Sequence, residues 1–185
     1  MFSGVTGTFI HPFDDHNFLA GHATVVCEIL EDVPDASAII APIGGGGLVT
    51  AIGNAVRAFN KPVAVWGAEP ETAAPAAKSF AKGEPERFEG FQESFIEGAG
   101  APSVLPRMWQ RMKPVVDGSI VVTLDETKKA MRLLAEHARV ISEGAGALPV
   151  AAALTGKAGN GPVVAVISGG NIDISKYCEI VGGQA

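Results

Sequence analysis

The stretch Ala38-Ile39-Ile40-Ala41-Pro42-Ile43-Gly44-Gly45-Gly46-Gly47-Leu48-Val49-Thr50-Ala51-Ile52 decides how this chain is read, because an apolar run meets four consecutive glycines and then turns helical. The pattern predicts a strand into Ile43, a loop over 44–47 and a helix from about Leu48 to Phe59. Residues without a Cβ let the backbone take positive φ and let a ligand approach successive N–H groups that side chains would screen. The helix that follows aims its unpaired N–H groups and the positive end of its dipole at the same point. The expected guest is an anion, and a phosphate fits best. A glycine run can also be a linker, but linkers are flanked by polar residues. Here a β-branched strand enters and an apolar-periodic helix leaves, so the glycines sit at the carboxyl end of a buried strand, where open α/β sheets bind ligands.

Downstream, Pro62-Val63-Ala64-Val65-Trp66-Gly67 reads as a second buried strand ending at Glu69-Pro70, which completes a βαβ unit with parallel strands and a right-handed crossover. Upstream, His11-Pro12-Phe13-Asp14-Asp15-His16-Asn17 is turn-rich, and Asp14, Asp15 or Asn17 can cap the helix that Phe18, Leu19, Ala23, Val26, Cys27 and Leu30 mark out to about Glu31. Its two histidines and two aspartates also invite a metal reading, without a fixed ligand spacing to carry it. His22 reads as a packed or solvated helix residue, and Thr8-Phe9-Ile10 as a short strand.

Beyond the βαβ unit come a helix over 72–82, a long connection from Gly83 to about Gly100, a short helix over 104–112 and a strand at Ile120-Val121-Val122. A helix then runs to His137 with Asp125 as its expected cap. The turn Glu143-Gly144-Ala145-Gly146-Ala147 leads into a helix over 147–155, and a last strand, Pro162 to Ile167, ends in Ser168-Gly169-Gly170-Asn171. The expectation is one α/β domain over residues 1–185. It should be an open, mainly parallel sheet with helices on both faces, and with the turns at 44–47, 143–147 and 168–171 on one rim.

Composition sets the outer limits. With 47% apolar residues, 18% charged residues and 23 glycines, the chain has the profile of a folded α/β domain and not of a disordered segment. A net charge of −6 argues against nucleic acid or an anionic membrane as partner, so any anion must be held locally. Cys27 and Cys178 lie far apart in apolar or helical patterns, which predicts buried thiols and a reducing, cytoplasmic setting. No apolar run approaches the roughly 20 residues that span a bilayer.

Strand, glycine loop, helix, strand and the acid Glu69 also follow the plan of a dinucleotide fold. The fingerprint is imperfect, since either frame puts Thr50 or Val49 where close helix packing wants a small residue. That reading also gives Ser168-Gly169-Gly170-Asn171 no work. A more specific likeness takes in five motifs in order: His11 to Asp15, Pro42 to Leu48, Gly67-Ala68-Glu69-Pro70, Glu143 to Ala147, and Ile167 to Asp173. Together, from about residue 9 to 176, they resemble the later half of the serine/threonine dehydratases, pyridoxal-phosphate (PLP) enzymes of fold type II related to the tryptophan synthase β-subunit.

The resemblance implies that the backbone N–H groups of Gly44, Gly45, Gly46, Gly47 and Leu48 hold the PLP phosphate, that the Ser168 hydroxyl faces the pyridine nitrogen, and that Glu143 and Gly169 lie near the ring. A neutral hydroxyl does not hold a proton on that nitrogen, so the ring is a weaker electron sink and loss of a β-hydroxyl competes. Glu143 reads equally well as a helix N-cap or first-turn acid. In some relatives a glutamate matching Glu69, with a backbone carbonyl and an aspartate a few residues on, binds a divalent cation. Here Pro75 stands at the expected aspartate position, so no metal site is assigned and Glu69 is its one candidate residue.

The family carries its Schiff-base lysine in a Ser-Phe-Lys-like motif in its first third, followed by a substrate loop, and neither is recognised here. The eight lysines, Lys61, Lys78, Lys82, Lys113, Lys128, Lys129, Lys157 and Lys176, read as solvated helix or loop ends. The expectation is therefore a portion of the PLP-binding large domain, with N-terminal elements and the small domain absent and no catalytic residue of its own. Uncovered sheet edges and apolar faces predict a homo-oligomer or a complementing N-terminal polypeptide. Three functions are open: a serine/threonine ammonia-lyase fragment that acts on an amino acid only when complemented, a module that binds PLP or another phosphorylated ligand non-covalently, and an assembly protein without a ligand.

Overall fold

A computed structural model describes residues 6–8 and 10–183. Among them are seven α-helices and four strands: α1 His16–Asp32, β1 Ala38–Pro42, α2 Gly47–Ala58, β2 Ala64–Pro70, α3 Pro75–Lys82, α4 Pro106–Met112, β3 Gly118–Val122, α5 Leu124–Leu133, α6 Gly144–Leu154, β4 Val163–Ala165 and α7 Ile174–Gly182. A π-helical turn, Leu134–Ala138, extends α5. The strands form one parallel sheet in the order β3-β2-β1-β4.

β1 is central and wholly buried, and its side chains alternate between two cores. Ala38 and Ile40 face the core built with α5, α6 and α7, where Met131, Leu148 and Tyr177 are buried. Ile39, Ala41 and Ile43 face the core built with α1, α2 and α4, around Val26, Ile52 and Trp109. Helices thus cover both faces, as the apolar strand patterns predict. No described helix is long and apolar enough to cross a membrane.

Several local expectations are corrected. α5 is capped by Thr123 and not Asp125: the Thr123 hydroxyl accepts from Glu126 N–H at 3.1 Å while the Glu126 carboxylate accepts from Thr123 N–H at 2.7 Å, a reciprocal capping box that Asp125, already inside the first turn, cannot form. Cys27 and Cys178 are exposed, because the helices that carry them turn other positions inward, Val26 in α1 and Tyr177 in α7. β4 pairs with β1 over three residues only, Val163–Ala165, shorter than the expected run from Pro162 to Ile167. α7 is a helix with no counterpart in the sequence reading. Of the proposed strand Thr8-Phe9-Ile10, Phe9 lies outside the described residues and Thr8 and Ile10 are irregular.

Candidate functional site

The order β3-β2-β1-β4 makes β1 a switch point. The chain leaves β1 through the glycine loop toward α2 on one face and leaves β4 through 168–171 toward α7 on the other. Loops that part to opposite faces from the carboxyl ends of adjacent parallel strands open a crevice between them, the usual ligand position in an open α/β sheet. Val166 N–H donates to Ile40 O at 2.9 Å, which keeps the two strand ends side by side.

At the first turn, Gly46 is the N-cap of α2 in the left-handed region, φ 86°, and no side chain caps the helix, so the amides of its first turn are left for another acceptor. Phe13 closes one side of this loop. A Cβ built on Gly45 would run into the Phe13 ring, and one on Gly47 would lie 2.9 Å from the Phe13 Cα. The segment carrying Phe13 is itself fastened. Asp14 makes ion pairs with Arg107 at 3.2 Å and Arg111 at 3.1 Å of α4, His11 Nδ1 accepts from Asp14 N–H at 3.1 Å, and Asp15 caps α1. His11, Asp14 and Asp15 therefore serve as caps and latches, and no group of three metal-ligating side chains occurs among the described residues. His22 packs edge-on against Phe18 in α1.

The expected turn over 143–147 is in fact the N-cap and first turn of α6, which starts at Gly144 and not at 147, and it interlocks with the 168–171 turn. Glu143 N–H donates to Gly169 O at 3.1 Å, and a Cβ on Gly146 would meet that same carbonyl at 2.5 Å. A Cβ on Gly169 would collide with the Glu143 carboxylate, and one on Gly170 would meet the Ile141 carbonyl at 2.6 Å. Glu143 occupies the N-cap position of α6 but its side chain makes no cap hydrogen bond, and partial burial together with the nearby Glu97 charge pushes its pKa up. Ser168 is exposed at the tip of its turn.

Gly98 joins the two halves. A Cβ on Gly44 would lie 3.1 Å from the Gly98 carbonyl, and one on Gly98 would lie 3.0 Å from Ala145 and 3.4 Å from the Glu143 carboxylate. The glycine loop, the start of α6 and the 168–171 turn therefore lie along one rim, with residues 98–99 as a wall between the first and the other two. A hollow of about 240 Å³ is lined by Gly44, Gly45 and Gly46 with Phe13, Leu105 and Met112 among others, but not by Gly47 or Leu48. A separate hollow of about 260 Å³ holds Glu143, Asn171, Asp173 and the Glu97–Lys176 ion pair. Ser168 and Gly169 line neither. Sequence reasoning missed Phe13 and Gly98 as parts of the site, since both act through contacts distant in the chain.

A bare helix N-terminus preceded by glycines at the switch of a parallel sheet is the build of an anion-binding turn in an open α/β domain. The chain belongs to the pyridoxal-phosphate dependent enzyme family, which it matches over residues 4–169. It is 35% identical over 179 residues to a catabolic L-threonine dehydratase of Staphylococcus aureus, covering 94% of this chain and 51% of that protein. It is 37% identical over 174 residues to an L-threonine ammonia-lyase of Thermotoga maritima, covering 94% of this chain and 43% of that one. Among solved structures, a threonine deaminase from T.th. superposes with a TM-score of 0.83 at 34% identity, over 89% of this chain and 57% of the other. Maize serine racemase gives 0.83 at 30%, over 92% and 55%. The chain thus spans about half the length of the relatives it matches.

Proposed function

We propose that this chain is the cofactor-gripping portion of a PLP-dependent ammonia-lyase acting on serine or threonine, with residues 1–185 as one α/β domain. The N–H groups of Gly44 to Leu48 hold the phosphate, where the α2 dipole and amides free of side-chain competition meet it. The Ser168 hydroxyl faces the pyridine nitrogen, and Glu143 and Gly169 border the ring. PLP, when bound, supplies the electron sink for loss of the β-hydroxyl. Glu143, its pKa raised by burial and by Glu97, is fitted to hold a proton beside the ring.

The settings of the lysines bear on catalysis. Lys78 and Lys82 pair with Glu86, Lys113 binds the Gly83 carbonyl, and Lys128 pairs with Asp125. Lys176 is paired with Glu97. A cofactor-bearing lysine, and with it the reaction, comes in this reading from a complementing polypeptide or a further copy.

The observation that carries the proposal is the uncapped, glycine-lined start of α2 at the β1/β4 switch. Titration of PLP by absorbance should show reversible binding that Gly46→Asp weakens by at least about tenfold, since a carboxylate at the helix start repels the phosphate. Equal affinity in the two proteins, or no binding to either, would refute it. Adding an N-terminal piece from a relative should then release ammonia and a 2-oxo acid from serine or threonine. A protein that oligomerises but never takes up PLP would favour the assembly reading.

A further inference from the structure

Glu69, near the end of β2, has a side chain with no solvent exposure. A carboxylate in such a place is tolerated only when its oxygens are fully engaged. Here they are: Oε1 accepts from Ala76 N–H at 2.8 Å, and Oε2 accepts from Ala77 N–H at 2.8 Å and from the Ser119 hydroxyl at 2.7 Å. The two amides belong to the first turn of α3, whose own N-cap residue, Ala74, offers no side-chain acceptor. Glu69 is thus a remote cap that ties β2 to α3 and, through Ser119, to β3. Desolvation outweighs these bonds and lifts its pKa to about 7.

What Glu69 holds in place leads to the glycine loop. Residues 70–73 form the turn between Glu69 and α3, closed by Ala73 N–H donating to Pro70 O at 3.0 Å. Gly100 packs so tightly on that turn that a Cβ there would lie 2.7 Å from the Ala73 side chain and 3.1 Å from Pro70. Gly100 N–H in turn donates to the carbonyl of Ile43 at 2.8 Å, just ahead of the loop, while the Gly98 carbonyl stands against Gly44. The same arrangement does not fit a bound cation. Every close partner of the carboxylate is a donor, Pro75 supplies no carboxylate, and the Pro75 carbonyl already accepts from the Ser79 hydroxyl at 2.7 Å. A cation site needs several such oxygens free to converge.

We propose that Glu69 is a positioning residue for the glycine loop, seating Gly44 through the 70–73 turn and Gly98–Gly100, and that it does so with protein donors alone, this end of β2 taking no divalent cation. The proposal deepens the PLP reading and rests on it for its ligand readout.

The test compares the full chain with its Glu69→Gln and Ser119→Ala variants. Glutamine keeps the shape but turns an NH₂ toward donors, and Ser119→Ala removes one bond, giving a graded version if the first variant does not fold. Glu69→Gln should weaken PLP by about tenfold while leaving pyridoxal, which lacks the phosphate, unchanged. Hydrogen exchange should quicken in residues 96–101 and not in α7, and millimolar Mg²⁺ or Ca²⁺ should leave the melting temperature of the unaltered chain unchanged. A uniform rise in exchange with PLP affinity intact would reduce Glu69 to a structural brace and overturn the proposal, as would a clear cation-dependent rise in melting temperature. If the unaltered chain binds no PLP yet exchange in 96–101 responds to Glu69→Gln, the cofactor reading falls and the positioning role stands.

Discussion

Gly146→Ala tests whether α6 and the 168–171 turn are pressed together as tightly as the geometry says. The new Cβ would stand 2.5 Å from the Gly169 carbonyl oxygen and 3.2 Å from its nitrogen. Carbon–oxygen contacts settle at about 3.3 Å, so helix and turn must part by roughly 0.8 Å. Overpacking of this kind costs about 1–3 kcal/mol. The Glu143 N–H bond to the same carbonyl, 3.1 Å long, is lost or weakened, at about 1 kcal/mol more. Against this, alanine improves a helix interior over glycine by about 1 kcal/mol. Packing wins, and the net loss is about 1–3 kcal/mol, a fall in melting temperature of roughly 3–9 °C for a chain of this size. Gly21→Ala is the internal control. Gly21 also lies inside a helix, α1, but a Cβ there meets nothing within 4 Å. It should gain about 0.5–1 kcal/mol from propensity alone. Thermal melts followed by circular dichroism decide the matter: a Gly146→Ala protein as stable as the unaltered chain, alongside a stabilised Gly21→Ala, would show that α6 does not touch the turn.

Thr123→Ala removes the capping box of α5 and should cost about 1 kcal/mol, read in the same melts, while Asp125→Ala costs less. Arg139 ends the π-helical turn at φ 60°, so Arg139→Gly should stabilise by about 0.5–1 kcal/mol in urea titrations, the strain relieved exceeding the entropy glycine adds. Glu69 sets a pH dependence. Its folded pKa of about 7 lies above the ordinary 4.5, so the folded chain holds a proton the unfolded one releases; the stability this adds is complete below pH 4.5 and is lost as pH rises through 7. The gap corresponds to about 3 kcal/mol, so the stability of Glu69→Gln relative to the unaltered chain should improve by that order between about pH 4.5 and 8. An unchanging difference across that range would show Glu69 ionised throughout.

The sheet was legible because each strand announces itself locally. Residues 38–43 and 63–67 are continuous apolar runs, and the strands Ala38–Pro42 and Ala64–Pro70 grow from them. α7 went unread: Tyr177, Ile180 and Val181 are the positions it turns toward the core, but a nine-residue helix gives too short a signal. The site was legible only as a set of turns. That Phe13 covers Gly45, that Gly98 stands between Gly44 and Glu143, and that Glu69 caps a helix through Ala76 and Ala77 while holding Ser119 are facts of packing between segments separated along the chain. Periodicity and turn chemistry carry no record of such pairs.

These contacts also divide the glycines by purpose. Gly45, Gly47, Gly146, Gly169 and Gly170 each stand where a Cβ would strike protein within 3 Å, so their lack of a side chain serves packing whatever else it serves. Gly46 differs. Its nearest neighbours beyond the missing Cβ are the Met112 sulfur at 3.6 Å and the Met108 methyl at 3.8 Å, ordinary contacts, and what it needs is a positive φ. Asparagine tolerates that conformation better than most residues and carries no charge, whereas aspartate tolerates it similarly and carries one. The pair Gly46→Asn and Gly46→Asp therefore separates backbone from electrostatics at the start of α2. If an anion sits on these amides, PLP affinity should fall by roughly tenfold more in the aspartate than in the asparagine protein, with the excess shrinking in high salt. Two variants that lose PLP equally, at low and high salt alike, would mean that this helix start is a turn and not a cradle.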